Sequence, residues 1–169
     1  MAESGNELLS YLGEPIEAPR VQQLLQELGV NEIPERKPGR TQINVLAPTH
    51  GLEFTFQPAS ELRDGGSLAD SPERLVLSVI FFRADYSDTG STYSGRLPHE
   101  LQFTNTRAQA RALLGAPSGS SDRYKNDRWQ FGSRSLTIDF ADDEQSIKLV
   151  TAWLPWKPRE ARGSRPSSL

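Results

Sequence analysis

TRAQARALLGAP (106–117), followed by RWQF (128–131), LTIDF (136–140) and IKLVTAWL (147–154), is the stretch from which the architecture is read. Thr106 and Gln109 stand three residues apart, the spacing at which a cap hydroxyl and the following side chain satisfy each other's backbone N–H groups. Ala110, Leu113 and Leu114 make one helical stripe, Gly115 suits the C-terminal cap, and Pro117 ends the run. Ser118 to Ser121 reads as a flexible turn. The three segments that follow are expected as strands. Leu136, Ile138 and Phe140 alternate with polar residues, and Asp142-Asp143-Glu144-Gln145 makes a tight turn, so the last two strands form a hairpin. Trp153, in phase with Leu149 and Thr151, is expected in the core. Trp129 reads as core or half-exposed, and Trp156 opens the tail.

Working outward, the first half has the same order. Ser4 and Glu7 again fit a capping box, opening a short helix over residues 6–12. The chain breaks at Gly13-Glu14-Pro15. Pro19 then starts a second helix, in which Val21, Leu24, Leu25 and Leu28 fall on one face and Gly29 ends it. Ile43 and Val45 mark a strand, and Leu52, Phe54 and Phe56 mark its hairpin partner. Residues 74–83 are apolar on both faces and read as a central strand. LLQELG (24–29) and ARALLG (110–115) echo each other. The expected fold class is therefore α+β. Two tandem halves, each a helix plus an antiparallel meander, span residues 1–96 and 97–155 as one unit, with a disordered basic tail over 156–169. A single unrepeated α+β domain is the alternative.

The 169 residues include no cysteine and two histidines, and the net charge is −3. Zero cysteine excludes a disulfide scaffold, a thiolate zinc site, an iron–sulfur cluster and a thiol nucleophile. Lys157, Arg159, Arg162 and Arg165 against Glu160 give the tail +3, which leaves −6 on the rest. An acidic body argues against general nucleic-acid binding and favours a basic protein partner. The first twenty residues lack a signal-peptide apolar run, and no stretch is long enough to span a bilayer, so a cytoplasmic, membrane-free protein is expected.

Catalytic equipment is thin. Asp88-Thr89-Gly90-Ser91 matches the string of aspartic proteases, but its flanks are polar and no second copy supplies the partner carboxylate. His50 and His99 lie in turns without a nucleophile or metal-ligand spacing and read as surface-turn residues. Asp142, Asp143 and Glu144 are adjacent, whereas calcium loops alternate their ligands. No enzyme activity, metal or cofactor is expected.

FTNTRAQARALLGAP (103–117), Asn126-Asp127-Arg128-Trp129, LTIDF and SIKLVTAWLP (146–155) resemble the SmpA/BamE type of module and the related halves of β-lactamase inhibitor protein. The chain departs from SmpA/BamE in having no lipoprotein signal and no lipidation Cys, which puts an outer-membrane assembly role in doubt. As a whole it also resembles immunity proteins of type VI secretion and polymorphic toxin systems. That resemblance implies an inhibitor that binds a cognate antibacterial toxin and covers its active site. The alternative is a non-enzymatic scaffold module of an envelope or secretion complex. Loops rich in acids and tyrosine are the expected contacts: Asp85, Tyr86, Asp88 and Tyr93 first, then Asp64 and Asp70, then Asp142 and Asp143.

Overall fold

A single seven-stranded antiparallel sheet organises the chain, and the computed structural model describes residues 3–65, 70–85 and 91–158 of it. The strands are β1 (Ile43–Ala47), β2 (Leu52–Pro58), β3 (Leu75–Arg83), β4 (Gly119–Ser121), β5 (Asn126–Phe131), β6 (Arg134–Phe140) and β7 (Ile147–Trp153). Their spatial order is β1-β2-β3-β7-β6-β5-β4. Two local meanders thus meet at β3 and β7, which pair from Val79↔Trp153 to Arg83↔Leu149. The sheet runs without a break across residue 96.

Among the described residues the α-helices with defined bounds are α1 (Gly5–Leu9), α2 (Pro19–Glu27) and α3 (Arg107–Leu114). Both capping boxes read from the sequence are present, Ser4 with Glu7 and Thr106 with Gln109. The first helix is shorter than expected. After Leu9 the chain takes i→i−3 bonds, and Gly13, at φ 90°, donates its N–H to Leu77 O. Glu14 O then accepts from Leu77 N, and Pro15 bridges Val76. The Gly-Glu-Pro break is therefore an extended segment paired alongside β3.

The apolar rows of the strands face the helices. Val45, Phe54, Ile80, Val150, Ile138 and Trp129 join Leu8, Val21, Leu24, Leu25 and Ala110 in one buried cluster. Hydrophobic burial of this shared face is the main favourable contribution to folding. Ser78 is the extra residue where the β2–β3 register shifts. Its hydroxyl donates to Gln57 Oε1 at 2.7 Å and lies 3.1 Å from Thr55 O, so the bulge leaves no buried orphan there.

Three expectations need correction. Residues 119–121 form strand β4, because Ser120 Oγ donates to Asp127 Oδ1 at 2.8 Å and ties this Ser-rich segment to β5. Trp153 is half-buried, since the core side of β7 is Val150 and Ala152, and the opposite row is Leu149, Thr151 and Trp153. Residues 156 and 157, expected in the disordered tail, are bonded to the body. Trp156 bridges Leu62, and Lys157 N donates to Glu61 O at 2.8 Å, while residues 159–169 lie outside the described segments.

Residues 91–101 strap α1 to the sheet. Tyr93 packs edge-on against Phe82 at 5.0 Å, and its hydroxyl donates to Glu3 O at 2.7 Å. Burial, with Glu7 and Glu3 nearby, pushes this phenol up to about 12. Gly51 sits at φ 65°, where a Cβ would collide with the backbone of Thr92 and Tyr93, so only glycine fits.

His99 is more than a surface-turn residue. Its ring stacks on Phe131 at 4.3 Å, and burial holds its pKa below the ordinary 6.5. The folded form thus favours the neutral ring. As pH falls below about 6.5 the unfolded chain takes up the proton first, so stability declines across that window. His99→Phe, which retains the stack, is expected to flatten the stability–pH curve just below about pH 6.5. Denaturant midpoints measured across that range check this, and an unchanged slope overturns it.

Candidate interaction face

Strand registry lays the side chains opposite the helices into rows. One row, Leu46–Glu53–Phe81–Thr151–Thr137–Arg128–Gly119, takes one residue from each of the seven strands. At about 4.8 Å per strand it extends for about 29 Å. A second row is Asn44–Thr55–Val79–Trp153–Ser135–Gln130. In the second row Thr55, Val79 and Ser135 are buried. Over β7, β6 and β5 the outward side chains Leu149, Thr151, Trp153, Thr137, Arg128 and Gln130 are half-buried or exposed. The helices contribute to the cluster on the other face.

Polar contacts hold this surface in place. Arg83 pairs with Glu53 at 2.9 Å and lies 5.6 Å from the Phe81 ring centre. The Trp153 indole N–H donates to Thr137 Oγ1 at 3.1 Å, which fixes the ring across two strands. Burial raises the Asp139 carboxyl, opposed by the Asn126 amide and the Lys148 charge. A side chain whose rotamer is already fixed loses less entropy on binding. The arrangement suits protein recognition, with aromatic and arginine anchors among hydroxyl and amide groups.

The residues expected to form the contact surface do not gather at one place. Asp64, Asp70 and Asp85 are exposed. Asp70 is paired with Arg74 at 3.4 Å, beside the Arg74–Glu17 ion pair. Asp142 and Asp143 are exposed at the β6–β7 turn, with Lys148 Nζ 3.9 Å from Asp142. Tyr93 is buried in the strap and offers no contact surface. Tyr86 and Asp88, with most of the Asp-Thr-Gly-Ser string, lie outside the described residues.

Sequence reading passed over the densest cluster of charge. Arg107, at the first turn of α3, points into the protein, and Asp127 on β5 meets it. Arg107 Nη2 donates to Asp127 Oδ1 at 2.7 Å, and Arg111 Nε donates to Asp127 Oδ2 at 2.8 Å. Glu144 also pairs with Arg107, with Asp122 at 3.2 Å. Burial alone would push the Asp127 carboxyl up. Hydrogen bonds from Arg111, Arg107 and Ser120 outweigh it and hold the group well below the usual carboxylate range. Two arginines at i and i+4 on one helix, with an aspartate in phase with Trp129 on a strand, were the available signal. The cluster is saturated with partners, and its work is to join α3 to the sheet.

Among the described residues there is no group of three or more His, Asp and Glu side chains able to hold a metal ion, and no helix is long and apolar enough to cross a membrane. No protein-family model, curated protein or solved structure matches this chain.

Proposed function

We propose that this protein is a non-enzymatic, cytoplasmic immunity protein that neutralises a cognate antibacterial toxin by covering the toxin's active site. The sheet face opposite the helices is its contact surface. One observation carries the assignment of the surface: over β7, β6 and β5 this face is accessible, carries Trp153 and Arg128, and is braced by cross-strand contacts. The toxin and the immunity role come from the resemblance. The acidic excess outside the tail supports attraction to a basic toxin domain, with Asp64, Asp85, Asp142 and Asp143 as exposed steering charges. We also read the chain as two related halves. The meeting of β3 with β7, each the last strand of its meander, supports that symmetry.

The test is co-expression with the neighbouring gene's product in a toxin-sensitive host. The wild-type chain is expected to restore growth. Thr151→Arg, a bulky charge at the centre of the face, is expected to abolish protection while the circular dichroism spectrum stays native. Continued killing in the presence of wild type sinks the immunity reading. Full protection by Thr151→Arg moves the contact to another surface.

A further inference from the structure

We propose that the cavity between Arg63, Arg128, Trp153 and Trp156 is an anchor pocket for an acidic side chain of the protein partner, one whose neighbour in the chain is apolar. This deepens the proposed function, because the pocket lies at one end of the same sheet face.

The cavity measures about 430 Å³, and Ser118, Gln130, Ser135 and Pro155 complete its lining. Among the described residues no Asp or Glu lines it, and neither Arg63 nor Arg128 makes an ion pair. Arg20, Arg74, Arg83, Arg107 and Arg111 pair with carboxylates, whereas among the described residues Arg36, Arg40, Arg96, Arg123 and Arg134 do not; what sets Arg63 and Arg128 apart is that they line the same cavity. Two arginines with no ion-pair partner among the described residues therefore share one hollow in an otherwise acidic body.

Their positions are held by backbone. Arg63 N donates to Pro155 O at 2.9 Å, Leu62 bridges Trp156, and Lys157 N donates to Glu61 O at 2.8 Å. Residues 61–63 and 155–157 are thus zipped together, which sets Arg63 and Trp156 on one rim. Arg128 comes from β5 across the cavity. Its guanidinium lies over Gly119, whose missing Cβ would stand only 3.2 Å from Nη2, so glycine gives the flat group room. The Trp153 and Trp156 rings are 6.3 Å apart at 54°, and Trp156 is 55% exposed despite its bonded surroundings.

Guanidinium groups match carboxylates with paired N–H donors. Indole faces take an adjoining apolar side chain and are frequent anchors in protein interfaces. The partner surface accordingly combines a basic region facing the exposed acids with an acidic residue that enters this pocket.

The probe is the capped dipeptide Ac-Phe-Asp-NH2, compared with Ac-Phe-Asn-NH2 and with acetate, at low salt on the full chain. Proton–nitrogen spectra follow the indole N–H signals of Trp153 and Trp156. The aspartate peptide is expected to shift both and to bind about tenfold more tightly than the asparagine peptide, the increment of one charged hydrogen bond. Arg63→Ala/Arg128→Ala is expected to abolish that difference. Equal responses to the two peptides overturn the proposal, as do acetate shifts equal to those of the aspartate peptide. The wild-type comparison stands even where the double variant fails to fold. Toxin neutralisation is scored separately, and its absence in the wild type overturns the immunity reading alone.

Discussion

Asp127→Ala is expected to lower the unfolding free energy by about 3–5 kcal/mol, the range found when one partner of a buried ion pair is removed. The carboxylate is fully buried and receives hydrogen bonds from Arg107, Arg111 and Ser120. Without it, the Arg107 guanidinium, whose side chain is only 6% exposed, retains Glu144 and Asp122 at its outer edge and Ser120 Oγ and Asn126 O as neutral acceptors, but loses its buried counter-charge. In a chain of this size that loss corresponds to a fall in thermal midpoint on the order of 10 °C. The sign of the pH dependence follows from the depressed pKa. Stability from Asp127 is complete above its unfolded value near 4 and is lost as pH falls below it. Asp127→Asn is therefore expected to weaken the fold at pH 7 and to reduce the loss on acidification. Denaturant titrations at pH 7 and pH 3 measure both effects. An Asp127→Ala midpoint equivalent to less than about 1 kcal/mol of loss would show that the network contributes little.

Trp129→Ala is expected to cost a similar amount, about 3–5 kcal/mol, through the cavity it leaves. The side chain is 3% exposed and packs in the main cluster, and its indole N–H donates to Gly115 O at 3.0 Å, at the C-terminal end of α3. Trp129→Phe retains most of the packing and loses that bond, so about 1 kcal/mol is expected. Asp127 and Trp129 stand two apart on the inner row of β5, so one strand grips both ends of α3. The Asp127→Ala/Trp129→Ala double variant should lose less than the sum, because release of either end loosens the helix that the other holds. Additive losses would show that the two ends are held independently.

Local features were legible in the residues. Ser4 with Glu7 and Thr106 with Gln109 announce helix starts because capping acts over three positions. Leu52, Phe54 and Phe56, and likewise Leu136, Ile138 and Phe140, show their buried phase because polar residues separate them. β7 was harder to read. Leu149, Val150, Ala152 and Trp153 put apolar side chains in both phases, and the register shift at Lys148 removes the simple alternation. Phase with Leu149 and Thr151 points Trp153 to the core, but the helices cover the other row. β4 was missed because its Ser-rich sequence has weak strand preference, and Asp127 supplies its anchor from elsewhere in the chain. The acidic loops were visible as charge, but exposure alone does not collect them on one surface, and Tyr93 went inward to cap the strap over Phe82.

The sequence by itself determined an α+β protein with capped helices and two strand meanders, since propensity, capping and alternation act between near neighbours. Only the tertiary structure decided that β3 and β7 join the meanders into one sheet, that Trp153 and Arg128 lie on the face away from the helices, and that Arg63 reaches the same hollow as Trp156. Each of these depends on pairing between residues far apart in the chain. A shift of one residue in that register would turn every side chain of the strand to the opposite face.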